Sequence, residues 1–232
     1  AYCEERNVPA ARVVRLPDEI ADDTAAAMML KGMTAEYLVR RTYAVEAGDT
    51  VLVHAAAGGV GLILCQWAAH LGATVIGTVG NAEKAELARG HGCAHPILYR
   101  ERSFREAVMD LTGGDGVPVV YDAVGADTFD DSLACLAPRG VMVLYGQSSG
   151  PVPPFDIQRL VQAGSLYLTR PSLAAYTATR SDLELSAGAL FAVVASGAVS
   201  IEIGQRYPLA DTEQAHRDLE GRRTHGCTVL VP

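Results

Sequence analysis

The sequence predicts an α/β fold on a doubly wound, six-stranded parallel sheet, and three observations carry that reading. Short apolar, β-branched runs alternate with helical segments through most of the chain. Those runs are apolar on both faces, as strands covered by helices on each side must be. Residues 50–72, TVLVHAAAGGVGLILCQWAAHLG, pass from a strand through Gly58, Gly59 and Gly61 straight into an apolar helix. Small residues in such a turn let the backbone approach a pyrophosphate, and the helix start supplies N–H groups and a positive dipole end. The spacing fits G-x-G-x-x-G with Ala56 in place of the first glycine. An ordinary tight connection would tolerate the same residues, so the dinucleotide reading rests on the strand, turn and helix together.

The elements follow in order. After the strand at 50–54 and its helix come a strand at 74–80 (TVIGTVG), a helix from 82 to 89 and a short strand at 96–99. Ser103 opens the next helix as a capping box with Glu106. A strand at 117–122 (VPVVYD), a helix at 128–136, a strand at 141–146 (VMVLYG), a helix at 155–163 and a strand at 165–169 (SLYLT) complete the alternation. Six strands make the two mononucleotide-binding halves of a Rossmann-type domain over 17–170. Segments 1–16 and 171–232 fall outside it. They contain a strand-like piece at 11–16, a helix capped by Ser181 and Glu184, and a strand at 201–207. A helix capped by Asp211 and Gln214 and a last strand at 227–231 follow, and these ends read as edges of a second domain. Asp22–Asp23 and Asp130–Asp131 read as helix-start charges.

Composition narrows the function. A net charge of −8 argues against nucleic acid as the main partner. No apolar run approaches the ~18 residues of a membrane span. The opening Tyr2–Cys3 leads directly into Glu4, Glu5 and Arg6, so no signal peptide is expected and the location is read as cytoplasmic. Five scattered cysteines, without C-x-x-C or His/Cys ligand spacing, predict neither structural zinc nor a disulfide framework. His54 could face a cofactor, or be a satisfied loop histidine.

The chain resembles the C-terminal two-thirds of the zeta-crystallin-like quinone oxidoreductases of the medium-chain dehydrogenase/reductase superfamily. The resemblance rests on LKGMTAEYLVRRTY (30–43), GDTVLVHAAAGGVGLILCQWA (48–68), GTVGNAEKAELA (77–88) and VVYDAVG (119–125). It continues through GQSSG (146–150), GSLYLTRPSL (164–173) and YPLADTEQAHRDLEGRRTHG (207–226). Ala69 departs from it, standing where the group carries a basic residue. The resemblance implies zinc-independent, NADPH-dependent reduction of quinones or activated alkenes by hydride transfer, and a homodimer meeting at the sheet edge 164–169. Members begin with a GroES-like catalytic domain, and this chain starts near that domain's end. It is therefore read as a fragment or shortened form supplying the cofactor half, binding NADPH but reducing quinones poorly or not at all. The catalytic residues are left unassigned. An enoyl reductase of polyketide or fatty-acid type, or a non-catalytic NADPH-binding protein, stand as alternatives.

The pyrophosphate is expected over Ala56, Ala57, Gly58 and Gly59, where no side chain blocks the backbone N–H groups. An NAD site needs a carboxylate about 20 residues beyond the glycines; here Thr78, Val79, Gly80 and Asn81 supply none. Gly80, Lys84 and Tyr99 match the group's positions for the adenosine 2′-phosphate, a cation and a hydroxyl for that anion. Without the resemblance, Lys84 is a solvated helix lysine pairing with Glu83 or Glu86. Thr34 matches a position facing the nicotinamide. Val124 and the loop Tyr145, Gly146, Gln147 and Ser148 lie at strand ends, where open α/β sheets bind ligands; Tyr145 could equally be a core aromatic. Arg222, or the adjacent Arg223, matches an arginine that folds towards the cofactor phosphates, or is a solvated helix end.

Overall fold

The computed structural model describes residues 2–232, so residue 1 of the expected 1–16 segment lies outside them. An extended stretch with one 3-10 turn, Ala10–Arg12, leads to α1 (Asp22–Tyr37), which continues into a π-helical turn, Leu38–Thr42. Then come β1 (Thr50–Val53), α2 (Gly59–His70), β2 (Thr74–Val79), α3 (Ala82–Gly90), β3 (His95–Leu98) and α4 (Phe104–Leu111). β4 (Val117–Asp122), α5 (Phe129–Ala134), β5 (Leu136–Leu144), α6 (Gln158–Gln162) and β6 (Tyr167–Thr169) follow. The chain ends with α7 (Leu173–Tyr176), α8 (Arg180–Ala195), β7 (Ile203–Pro208), α9 (Thr212–Glu220) and β8 (Cys227–Val231).

The main sheet is six-stranded in the order β3-β2-β1-β4-β5-β6, and every pairing in it is parallel. The first half winds outward from β1 to β3; the chain then returns to β4 beside β1 and winds the other way. Connections leaving β1 and β4 therefore diverge and open a crevice at their C-terminal ends. Side chains alternate across the sheet. Val51, Val53, Val119 and Tyr121 join one core with Met28, Leu38, Ile63 and Leu190 of the helices. Leu52, Ile76, Val120 and Met142 join the other with Phe104, Val108 and Phe129. β7 and β8 form a separate two-stranded parallel sheet. It is tied to the main domain where Gly226 bridges Gly58.

Several expected bounds shift for identifiable reasons. Residues 11–16 form no strand, because that stretch finds no ladder partner. Side chains hold it instead: the Arg180 guanidinium donates to the Ala10 and Val13 carbonyls, and the Arg12 guanidinium donates to the Thr177 carbonyl. β5 begins at Leu136, five residues early, displacing the end of the expected 128–136 helix; the β4–β5 register slips between Val117 and Val119, around Pro118. α6 is only Gln158–Gln162, since Phe155 packs edge-on against Phe129 at 5.2 Å rather than turning into a helix. α8 is capped two residues before the expected Ser181. The Thr179 hydroxyl accepts from Asp182 N–H at 3.1 Å and donates to the Asp182 carboxylate at 2.6 Å, while Glu184 pairs with Arg180 at 2.7 Å. Asp211 precedes α9 but its side chain makes no cap bond. At Ser103 the hydroxyl accepts from Glu106 N–H at 3.3 Å. Asp22, Asp23, Asp130 and Asp131 occupy first helical turns, as expected.

Two glycines on facing helices test the packing of α1 against α8. A Cβ on Gly32 would come within 2.7 Å of Leu190 Cδ2, whereas one on Gly188, inside α8, would meet nothing within 4 Å. Gly188→Ala should raise the unfolding free energy by about 0.5–1 kcal/mol, by relieving the entropy cost of a helical glycine. Gly32→Ala should lower it by about 1–3 kcal/mol through overpacking. Urea denaturation measures both; the opposite order would refute this packing.

Candidate functional site

The crevice is built by backbone segments that approach too closely for side chains. Ala55 leaves β1 with φ +53°, and Gly58 N–H closes the turn onto the Ala55 carbonyl at 2.9 Å. A Cβ on Gly61 would collide with the Ala55 carbonyl oxygen and lie 2.8 Å from that of Ala56. Only glycine lets α2 start this close to the strand. No side chain caps α2, so its first N–H groups are left to other partners. Ala56 and Ala57 are buried, and Ala57 accepts from Gly226 N–H at 3.1 Å. One neighbour was not anticipated: the aliphatic stem of Lys31 lies against Gly59, its Cε 2.7 Å from where a Cβ would stand. Nothing in the sequence near Lys31 signals this, because α1 reaches the turn only through the tertiary fold.

At the end of β2 the expected residues come together. Tyr99, following β3, lays its ring over Gly80, with the hydroxyl 3.3 Å from the Cβ position. Asn81 caps α3 by accepting from Lys84 N–H at 2.9 Å, and Lys84 Nζ donates to the Arg222 carbonyl at 3.1 Å. No carboxylate pairs with Lys84 among the described residues: Glu86 is engaged by Arg89. Arg222 adopts φ +56° after α9 and its side chain is exposed, while Arg223 is held by Asp218 at 2.7 Å. Gly80, Lys84, Tyr99 and Arg222 thus share one corner.

The opposite corner is formed by two loops laced together. Ser148 N–H donates to Ala123 O at 3.2 Å, Ser149 N–H to Val124 O at 2.9 Å, and Ala126 N–H to Gly150 O at 3.3 Å. Tyr145 and Gly146 N–H both reach the Asp122 carbonyl, at 2.9 and 3.2 Å. A Cβ on Gly146 would be 2.7 Å from Ala123 Cα, so the loops cannot separate without losing these bonds. Gln147 and Ser148 are exposed at the tip. Tyr145 packs against the main core, and burial pushes its phenol well up. Thr34 stands apart from this lacing; its hydroxyl donates to Leu30 O, one helical turn back, at 2.8 Å.

Beneath the glycine turn and the Val124–Gly125 loop runs a buried polar chain that single residues in the sequence did not reveal. Asp122 Oδ1 accepts from Val124 and Gly125 N–H at 2.7 and 3.0 Å. Its Oδ2 accepts from the Thr128 and Ser132 hydroxyls at 2.7 and 3.2 Å. Ser132 Oγ lies 2.9 Å from His54 Nε2, and His54 Nδ1 lies 2.9 Å from Thr78 Oγ1. His54 is therefore a fully buried, satisfied histidine. Burial depresses its pKa below 6.5, with the Asp122 charge opposing that shift.

A buried histidine with a depressed pKa must stay uncharged in the fold and gains its proton on unfolding. Its contribution to stability is present above the unfolded pKa and is lost as pH falls below about 6.5. Between about pH 6.5 and 5, before most carboxylates titrate, stability should decline by up to about 1.4 kcal/mol per pH unit. In His54→Gln that slope should flatten, as measured by urea denaturation across pH. An unchanged slope would mean that His54 is protonated in the fold.

The family model for zinc-binding dehydrogenases matches residues 59–185. Among the described residues no group of three or more His, Cys, Asp or Glu could hold a metal ion. A quinone oxidoreductase of Pseudomonas aeruginosa is 49% identical over all of this chain and 71% of its own length. A 2-haloacrylate reductase of Burkholderia sp. is 46% identical over all of this chain and 71% of its own. The structure of Escherichia coli quinone oxidoreductase complexed with NADPH superimposes with a TM-score of 0.97 at 47% identity, covering 100% of this chain and 72% of that one. The chain belongs to the zeta-crystallin-like quinone oxidoreductase family of the medium-chain dehydrogenase/reductase superfamily.

Proposed function

We propose that the crevice binds NADPH and serves hydride transfer to a quinone or an activated alkene. The observation that carries this reading is the corner where Lys84, free of any carboxylate partner among the described residues, stands by Tyr99 and Gly80, with no acid at the end of β2. A ribose diol would want a carboxylate there; a 2′-phosphate wants a cation and a hydroxyl. Ala56, Ala57, Gly58 and Gly59, with the uncapped start of α2, would hold the pyrophosphate. Val124, Tyr145, Gly146, Gln147 and Ser148 would wall the nicotinamide, with Thr34 facing it from α1, and Arg222 would close over the phosphates. When bound, NADPH supplies a hydride to an electron-poor acceptor. The chain's own residues orient the two reactants and keep water away from them. The relatives that are quinone oxidoreductases and a 2-haloacrylate reductase support this acceptor class.

In this reading 17–170 is the cofactor domain, and 1–16 with 171–232 belong to a GroES-like catalytic domain. The four buried, unbridged cysteines suit a reducing cytoplasm. A homodimer through β6 follows from its edge position and from the apolar surface beside it: Tyr167, Ile157 and Val161 are each more than 60% exposed. Bare apolar edges invite pairing. Light scattering at micromolar concentration should give twice the chain mass, and Tyr167→Lys should give one chain mass; a monomer in the parent protein would refute the pairing.

The cofactor assignment is tested with 1,4-naphthoquinone as acceptor. NADPH should be oxidised in preference to NADH. Lys84→Ala should weaken NADPH binding by about 1.5–3 kcal/mol, roughly ten- to a hundred-fold, and leave NADH nearly unchanged. Equal loss for both cofactors would place Lys84 elsewhere. Faster turnover of a crotonyl thioester than of the quinone would make the protein an enoyl reductase.

A further inference from the structure

The buried chain beneath the crevice has a direction. The Asp122 carboxylate accepts four hydrogen bonds, among them the Ser132 hydroxyl. Having given its one proton to Asp122, Ser132 Oγ can only accept from His54, so His54 Nε2 carries a hydrogen. Nδ1 of the neutral ring is then a bare acceptor and takes the Thr78 hydroxyl proton. The Thr78 oxygen in turn faces Ala55 N–H at 3.4 Å, at the left-handed residue that opens the glycine turn. Every donor has one acceptor, from Ala55 through Thr78, His54 and Ser132 to Asp122. His54, Asp122 and Ser132 are fully buried and Thr78 nearly so, so no water substitutes for a missing link.

We propose that Asp122 is a positioning residue. Through this one-way chain it locks the glycine turn and the Val124–Gly125 loop in a single register, and so places the nicotinamide end of the crevice. This rests on the NADPH reading above. The loop bonds that Asp122 makes directly are also those that the 145–150 segment laces onto, so a shift at Asp122 moves both walls of that corner. The 2′-phosphate corner, at Lys84 and Tyr99, lies outside the chain and should not feel it.

The test uses Asp122→Asn. An amide nitrogen in place of Oδ2 can only donate, so the Ser132 hydroxyl loses its acceptor and can turn to donate to His54 Nε2, which draws the ring to the Nδ1–H tautomer. Long-range ¹⁵N–¹H spectra at neutral pH, with His54 assigned by its loss in His54→Gln, should show Nε2–H in the parent protein and Nδ1–H in the variant. Affinity for NADPH should fall about ten-fold, as for the loss of a charged hydrogen bond. Affinity for adenosine 2′,5′-bisphosphate, which carries no nicotinamide, should stay within about two-fold of the parent value. A parent Nδ1–H tautomer or imidazolium would overturn the chain, even if the variant fails to fold. Equal weakening of both ligands, or of neither, would overturn the positioning role. Absence of NADPH binding by the parent protein would instead remove the cofactor reading and the positioning role with it, while the tautomer still decides the direction of the chain.

Discussion

At the C-terminal edge of the sheet, where the connections of β1 and β4 diverge, main chain packs on main chain. Gly61, in the first turn of α2, sits against the Ala55 and Ala56 carbonyls, and Gly146 sets one loop on Ala123 of the other. Such contacts leave no room for side chains to screen the backbone, so its N–H and carbonyl groups, apart from the first N–H groups of α2, need partners inside the fold. Asp122 answers that need for the loop after β4, and the lacing of 122–126 to 145–150 answers it for the loop after β5. The two loops are held together by these bonds, and the crevice is open because the strand order reverses there.

The charged groups divide differently between the two ends. Beneath the corner formed by Val124 and the 145–148 loop, Asp122 and His54 are buried and linked by hydrogen bonds through Ser132, and Tyr145 packs partly buried against the core. At the corner of Gly80, Lys84 and Tyr99, Lys84 is half-buried and Arg222 exposed. Lys84 leans only on a carbonyl, and the side chain of Arg222 is open to solvent. Charges left in water and loosely held give up little solvation when an anion arrives, which suits recognition of a phosphate. Charges already satisfied in a dry interior suit fixed geometry.

Much of this was legible in the chain. The glycine turn and the six parallel strands follow from spacing, because each depends on residues near one another in sequence, whereas the grouping of Gly80, Lys84 and Tyr99 came from the family resemblance. What spacing could not supply was long-range. Lys31 meets Gly59 because α1 packs on α2, and Ser132 meets His54 across 78 positions. Residues 11–16 look like a strand from composition alone but have no ladder to join. The cap of α8 shows the same limit at short range: Ser181–Glu184 and Thr179–Asp182 both fit a capping pattern, and the structure uses the earlier pair while Arg180 takes Glu184.

The central claim is that one crevice, at the reversal between β1 and β4, holds a phosphorylated dinucleotide along its whole length. An experimental structure of the protein with NADPH tests it most directly. The account requires the 2′-phosphate within hydrogen-bonding distance of Lys84 and Tyr99, the pyrophosphate on the N–H groups that open α2, and the nicotinamide between Val124 and the Tyr145–Ser148 segment. A cofactor bound with its adenosine 2′-phosphate away from Lys84, or with its nicotinamide outside the laced loops, would contradict it.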